Sequence, residues 1–316
     1  MKRVVVTGAS GFIGRHVLPF LVDAGFEVHA LCQRGEFTKV DGVSWHKVDL
    51  MDYHAVDVLL HELQATHFLH LAWYTEHGKF WHAAENLQWV GCSLNLLKCF
   101  VKYGGERVVM AGSCAEYDWS AGRCFEQETV CNPATLYGVS KHALYQVAEL
   151  YCKQNNVSFA WGRVFFLYGP GEAASRFVPT VINGILKHEK TPCSAGTQVR
   201  DFMHVEDVAS AFSSLLASDL IGAVNIASGK SYTLREIGEE IMCQMNGNGW
   251  IEFGALPNRL DDPISLTADT SRLQVELDWR PSYSLSKGLA GAINWWKLGL
   301  DNLNQENGTL EGNNGS

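Results

Sequence analysis

The chain lacks the marks of several protein classes. Its nine cysteines, at 32, 92, 99, 114, 124, 131, 152, 193 and 243, contain no CxxC pair and are odd in number. Neither a disulfide framework nor a zinc site is expected from them, and reduced thiols in a cytoplasmic protein are the natural reading. The twelve histidines include no HExxH or other metal-ligand spacing, so no metal is expected. No apolar run reaches the length of a membrane span. Met1 leads through two cations straight into Val4-Val5-Val6, without the apolar stretch and small-residue cleavage site of a signal peptide. Basic residues are in deficit, 25 against 34 acidic, a net charge of -9. That sign repels a nucleic-acid backbone and offers no polybasic footprint to an anionic membrane, so neither is expected as a partner. A phosphorylated small molecule stays possible, because a few arginines and one helix N-terminus can outweigh the global charge locally.

What is present is an alternation. Short β-branched runs over 3–6, 27–31, 44–47, 68–71, 107–111 and 158–164 are separated by helical patterns such as 14–24, 86–103 and 136–155. This is the pattern of an α/β protein with a doubly wound parallel sheet, of the Rossmann type. Residues 205–217 and 223–227 add one more helix and strand, whereas the remainder after Gly169-Pro170-Gly171 is irregular. The expected organisation is a dinucleotide-binding domain of residues 1–169 plus about 201–227, and a smaller, loop-rich C-terminal substrate domain of about 170–200 plus 228–300. The Asn- and Gly-rich tail, 301–316, is expected to be disordered.

Gly8, Gly11 and Gly14 stand in GxxGxxG spacing between the first strand and the first helix. Glycines there allow a tight turn, close approach of backbone to a pyrophosphate, and close packing of helix on strand, with the helix N-terminus facing the negative charge. Gly8, Ser10, Gly11, Phe12, Ile13 and Gly14 are therefore candidate cofactor-binding residues. The second strand ends without the carboxylate that would hold a ribose 2′-hydroxyl; Arg34 follows instead and suits a 2′-phosphate, although a solvated surface arginine is the alternative. NADP(H) is the preferred cofactor on this reading, with NAD(H) possible. Asp49 and Leu50 are placed at the adenine, and Leu71 and Ala72, after His70, at the nicotinamide side. His67 and His70 read as core or cofactor-side residues.

Tyr137 and Lys141 are four apart and share one helix face. A phenol moves a proton near neutral pH only if a neighbouring cation tunes it, so this pair suits proton transfer at a carbon that also exchanges hydride. Ser113, just after an apolar strand, adds a hydroxyl to hold the substrate oxygen. Ser113, Tyr137 and Lys141 are the candidate catalytic set, and Tyr137 and Lys141 are counted with the cofactor site as well. At this point TGASGFIG (7–14), HLA (70–72), GSCAEY (112–117), YGVSK (137–141), RVFFLYGPGE (163–172), RDFMHVEDVA (200–209) and VNIASG (224–229) together resemble the extended short-chain dehydrogenase/reductase family, over roughly residues 3–296. That family comprises NAD(P)-dependent sugar-nucleotide epimerases, dehydratases and 4-ketoreductases.

The resemblance implies a nucleotide-diphosphate sugar as substrate, with Arg200, Arg259 and Arg176 as candidate clamps on it. It implies a homodimer packing the helices at about 86–103 and 137–155 into a four-helix interface. Two departures carry information. Dehydratases place acid/base residues in the two positions after the strand-end hydroxyl, which here are Cys114 and Ala115, and Glu116 would point to the opposite side of an extended segment. Phe166 stands where many members have an asparagine. The expected activity is NADPH-dependent reduction of the 4-keto group of a nucleotide-linked (deoxy)sugar with Tyr137 as proton donor. An NAD-dependent 4-epimerase is the alternative, and a cofactor-binding regulatory protein without turnover is a third.

Overall fold

The computed structural model describes residues 2–33, 39–247, 250–258 and 262–312, of which 301–312 by backbone alone. Along the chain the elements are β1 (Arg3–Thr7), α1 (Phe12–Asp23), β2 (Glu27–Cys32), β3 (Val43–Lys47), α2 (Tyr53–Leu63), β4 (His67–His70), α3 (Glu85–Lys102), β5 (Arg107–Ser113), β6 (Arg123–Cys124), α4 (Leu136–Gln154), β7 (Ser158–Val164) and β8 (Phe166–Tyr168). They continue as α5 (Phe177–Leu186), β9 (Thr191–Cys193), β10 (Val199–His204), α6 (Val205–Ala217), β11 (Gly222–Ile226), β12 (Ser231–Thr233), α7 (Leu234–Met245), β13 (Ile251–Phe253), β14 (Ser265–Ala268) and α8 (Leu285–Gly312).

Seven strands form one sheet in the order β11-β7-β5-β4-β1-β2-β3, every neighbour parallel. Side chains alternate across it, as the pleat requires. Val4 and Val6 face a core closed by Val17, Leu18 and Leu21 of α1 and Phe212 and Leu215 of α6, while Val5 faces the opposite core, with Leu60 of α2, Leu96 and Phe100 of α3 and Leu144 of α4. Both faces are covered, which is why these strands read as continuous apolar runs. This is the doubly wound Rossmann-type sheet expected from the alternation.

A second sheet, β12-β10-β14-β6 with β8 paired to β10, lies beyond the C-terminal edge of the first. Its third core gathers Val178, Val181 and Ile182 of α5, Ile237 and Ile241 of α7, and Leu289 and Ile293 of α8. The stretch expected to be loop-rich thus carries three helices. Their apolar repeats are short or interrupted, by Pro179 in the first turn of α5 for example, a position that tolerates proline. The backbone of α8 is helical through Gly312, inside the segment 301–316 expected to be disordered, because extending a nucleated helix needs little from side chains. Residues 313–316 lie outside the described residues.

Candidate active site

The site collects at the C-terminal ends of the parallel strands, the crevice where such sheets bind ligands. After β1 the chain turns at Gly8, whose φ of +68° favours glycine and whose added Cβ would stand 2.7 Å from the Ala72 nitrogen. Gly11 N–H donates to the Gly8 carbonyl at 2.9 Å and closes the turn. A Cβ on Gly14 would meet that same carbonyl oxygen at 2.0 Å. The glycines therefore let α1 pack on the turn after β1, and let that turn lie against the backbone of Leu71 and Ala72 after β4. No side chain caps α1 and its first turn holds no acid, so its N–H groups face the crevice with their positive end free for an anion. These features fit the pyrophosphate of a dinucleotide.

The other cofactor candidates border the same crevice. Ser10 is exposed, and Phe12 and Ile13 are half-buried at the start of α1. Asp49 is exposed just past β3 and accepts the Met51 N–H at 3.0 Å, and Leu50 follows it. Leu71 and Ala72 continue β4, with Leu71 N–H on the Thr7 carbonyl at 3.2 Å. Arg34 and Arg259 lie outside the described residues. His70 belongs to a buried relay: Ser93 Oγ donates to the Trp89 carbonyl at 2.7 Å, so it accepts from His70 Nε2 at 2.8 Å, and His70 Nδ1 accepts from the Thr7 hydroxyl at 2.7 Å. Burial, with the Lys141 charge adding, pushes this imidazole down to about 3. It is a neutral strut between β1, β4 and α3.

The catalytic candidates meet where β5 ends and α4 begins. Ser113 caps the turn after β5 by accepting the Ala115 N–H at 3.2 Å, and its hydroxyl lies close enough to act on the Tyr137 phenol. Thr135 caps α4, and Gly138 lets that helix lie close on the turn, since a Cβ there would come 2.3 Å from the Ala115 carbonyl oxygen. Burial holds the phenol well above its usual range, with the Ser113 hydroxyl and the Arg176 charge opposing. One turn on, Lys141 Nζ donates to the Ala111 carbonyl at 2.8 Å and sits 3.8 Å from the Trp73 ring centroid. Burial lowers this ammonium to about 7, against the pull of Glu116.

Neither residue after Ser113 is an acid or base in the working range. Ala115 has no proton to give, and burial pushes the Cys114 thiol up to about 12. Glu116 is fully buried beneath β5, where it accepts from Ser113 N at 2.8 Å, Trp161 Nε1 at 2.9 Å and Arg163 Nε at 3.1 Å. Burial raises its carboxyl, but the His142 ring 3.9 Å away, the Arg163 charge and the hydrogen bonds from Ser113 and Trp161 outweigh that and lower it from its usual value.

Of the arginine clamps, Arg200 is buried and bonded to Asp262 at 2.5 Å and to its own strand at Val199 O. Arg176 stands just before α5 and places its guanidinium over Phe80, 5.7 Å from the ring centroid. A cavity of about 470 Å³ opens beside the Arg200–Asp262 pair, walled by Trp119, Ser120, Asp262, Pro263 and Ile264. Among the described residues no cluster of three or more metal-ligating side chains occurs.

Residues 4–227 match the model of the NAD dependent epimerase/dehydratase family. The chain belongs to that family. Within it, the chain is 26% identical over 303 residues to the CDP-abequose synthase of Salmonella typhimurium, covering 91% of this chain and 96% of the relative. It is 26% identical over 275 residues to the dTDP-6-deoxy-L-talose 4-dehydrogenase (NAD(+)) of Aggregatibacter actinomycetemcomitans, covering 84% and 98%. A solved UDP-glucose 4-epimerase of Thermus thermophilus, in complex with NAD, superposes with a TM-score of 0.78 at 25% identity, covering 93% and 99%.

Sequence reasoning missed several members of this epimerase/dehydratase site. Trp73, Phe80 and Trp81 surround Tyr137, with Phe80 and Trp81 edge-on at 4.9 Å and 5.8 Å between centroids, and Trp81 meets Trp119 of the cavity wall at 5.9 Å. The signal was four aromatics, Trp73, Tyr74, Phe80 and Trp81, inside nine residues without helical or strand periodicity. Glu172, buried beside Arg176, was also missed. Asp201, in the RDF motif, proves to be scaffold: it accepts Ser228 N–H, Ser228 Oγ–H and Gly229 N–H and pins the turn after β11.

Proposed function

We propose that the protein reduces the 4-keto group of a nucleotide-diphosphate-linked deoxysugar, with NADP(H) as the preferred cofactor and Tyr137 as the proton donor. The observation that carries the reading is the pairing of an intact Ser113–Tyr137–Lys141 set with a disarmed dehydratase position, where Cys114, Ala115 and a fully bonded Glu116 leave no group to remove water. Two relatives whose names place their chemistry at C4 of a nucleotide sugar support the carbon chosen.

A bound nicotinamide supplies the hydride. Ser113 and Tyr137 hold the substrate's carbonyl oxygen between two hydroxyls. Burial keeps the phenol protonated, so Tyr137 enters the step as an acid and transfers its proton to that oxygen while the C=O bond becomes CH–OH. Ser113 retains its own proton and stabilises the charge that develops. Lys141, placed by Ala111 and Trp73, supports the proton's return to the phenol. The cavity beside Trp119 suits the nucleotide, and a substrate diphosphate would compete with Asp262 for Arg200; Arg259 is proposed to assist there. The cofactor preference rests on β2 ending without an acid and on Arg34.

The 4-epimerase reading keeps the same residues and is favoured by the likeness to the Thermus thermophilus enzyme. Incubating the protein with a dTDP-linked 4-keto-6-deoxyhexose and NADPH separates the two. Reduction consumes one NADPH per product. Product without net oxidation of cofactor, or NAD(H) bound tenfold more tightly than NADP(H), overturns the proposal.

A further inference from the structure

The loop after β8 carries a polar group that the mechanism above does not use. Gly169, Pro170 and Gly171 hold the loop against the first turns of α1: His16 Nε2 bonds the Pro170 carbonyl at 2.9 Å, and a Cβ on Gly171 would stand 2.9 Å from Arg15 Nη1. The loop therefore sits at the edge of the dinucleotide crevice, and Glu172 turns inward from it. That residue is only 8% exposed. Its carboxyl lies near the Gly169 N–H, and Oε2 is buried with no hydrogen-bond partner among the described residues. The cation acting on it is Arg176, which also acts on the Tyr137 phenol and lies over Phe80, a ring packed edge-on against Tyr137.

A buried carboxyl oxygen without a partner bears the full desolvation penalty, so its retention beside a reaction centre points to a partner that arrives with the ligand. Burial, opposed by Arg176 and Gly169, pushes this carboxyl up to about 8, so near neutral pH it carries a proton and can both donate and accept. A phosphate is a poor match for such a group, because a fully charged clamp is what phosphate selects. A hydroxyl, with one donor and two acceptor sites, is a good one. Trp73, Phe80 and Trp81 around Tyr137 offer apolar faces that fit the C–H faces of a sugar ring, and Glu172 and Arg176 add polar groups beside them.

We infer that Glu172 is a specificity-determining residue of the sugar subsite, its free carboxyl oxygen holding a ring hydroxyl of the nucleotide-linked sugar. The inference rests on the proposed substrate class and adds the group that selects within it. The test is a binding cycle by calorimetry on the holoenzyme loaded with oxidised cofactor, so that no turnover is required. The probes are UDP-glucose and CDP-glucose with their 2-deoxy and 3-deoxy counterparts. Wild type should bind one deoxy analogue about 10–100-fold more weakly than its parent, the range for one hydrogen bond to a strongly polar group. Glu172→Ala should lose a similar factor on the parent and nothing more on that analogue. Glu172→Gln, isosteric with the protonated acid, should stay within about threefold of wild type. Equal losses on parent and analogues, or a loss confined to cofactor affinity, overturn the assignment to the sugar. A wild-type holoenzyme that binds none of the six sugars overturns the substrate class itself, a result distinct from discrimination that persists in Glu172→Ala.

Discussion

Lys141 holds its charge in a place that opposes it. Its pKa is lowered to about 7 by burial, from an ordinary value near 10.5, so between those values the unfolded chain binds a proton that the folded chain does not. Folding then gains stability as pH rises from about 7 to about 10, and loses it in the other direction. Lys141→Met lacks this dependence. The melting temperature of wild type minus that of Lys141→Met should therefore climb across this window in matched buffers, and a flat difference would show the ammonium is not desolvated. Tyr137→Phe probes the neighbouring group: it keeps the ring among Phe80 and Trp81 and removes the proton. A loss of about 10²–10⁴-fold in kcat with cofactor affinity within about threefold is expected, and retention of more than a tenth of kcat places the acid elsewhere. Glu116 gives a contrasting result, since its role is structural. Glu116→Ala strands the buried Arg163 guanidinium, and denaturant unfolding should show a loss of about 3–5 kcal/mol. That Ser113, Tyr137 and Lys141 come together where β5 ends and α4 begins was legible because their spacing and order are local. Glu172 was not, because its meaning comes from burial and from an arginine on the next element.

At the level of elements, the alternating half of the chain was legible because both of its periods are strong. The strand expected over 158–164 and the helix expected over 205–217 have the observed bounds, and helix 136–155 differs by one residue from α4. The second sheet was not legible: β6, β8 and β12 have two or three residues each, too few for any period, and they are held by pairing with strands distant in sequence, in β6 across more than a hundred positions, between Arg123 and Thr267. The aromatic stretch around Trp73 and Trp81 escaped for a similar reason, being neither helix nor strand. The glycine loop is the element where a single methyl group should matter most. In Gly14→Ala the new Cβ would lie 2.0 Å from the Gly8 carbonyl oxygen, backbone against backbone, so α1 must move off β1. Titration of the nicotinamide fluorescence should show dinucleotide affinity falling by at least tenfold while the far-ultraviolet dichroism is retained; unchanged affinity would remove this loop from the cofactor site.

The whole molecule leaves one face of its larger sheet layer unfinished. Val139, Ala143, Val147 and Leu150 recur at intervals of four, four and three on α4, which places them on one stripe, and all are exposed, Leu150 by 57%. On the adjacent α3, Leu87 is 63% exposed, and Val90, Gly91 and Leu94 extend the same line at helical spacing. The inward faces of both helices are already used, by Leu96 and Phe100 on α3 and by Leu144 and Ala148 on α4. An apolar stripe across two parallel-packed helices is self-complementary about a two-fold axis, where each helix pair meets its copy as a four-helix layer. We expect a homodimer through α3 and α4 in light scattering at micromolar concentration. Val147→Glu with Leu150→Glu places four like charges at the centre of that contact, counting both copies, and should yield a monomer. Because the stripe lies on the far side of α4 from Ser113 and Tyr137, the monomer should keep cofactor binding within a few fold. A wild-type protein that is monomeric at these concentrations, or a double variant that stays dimeric, would show that the exposed stripe is not the interface.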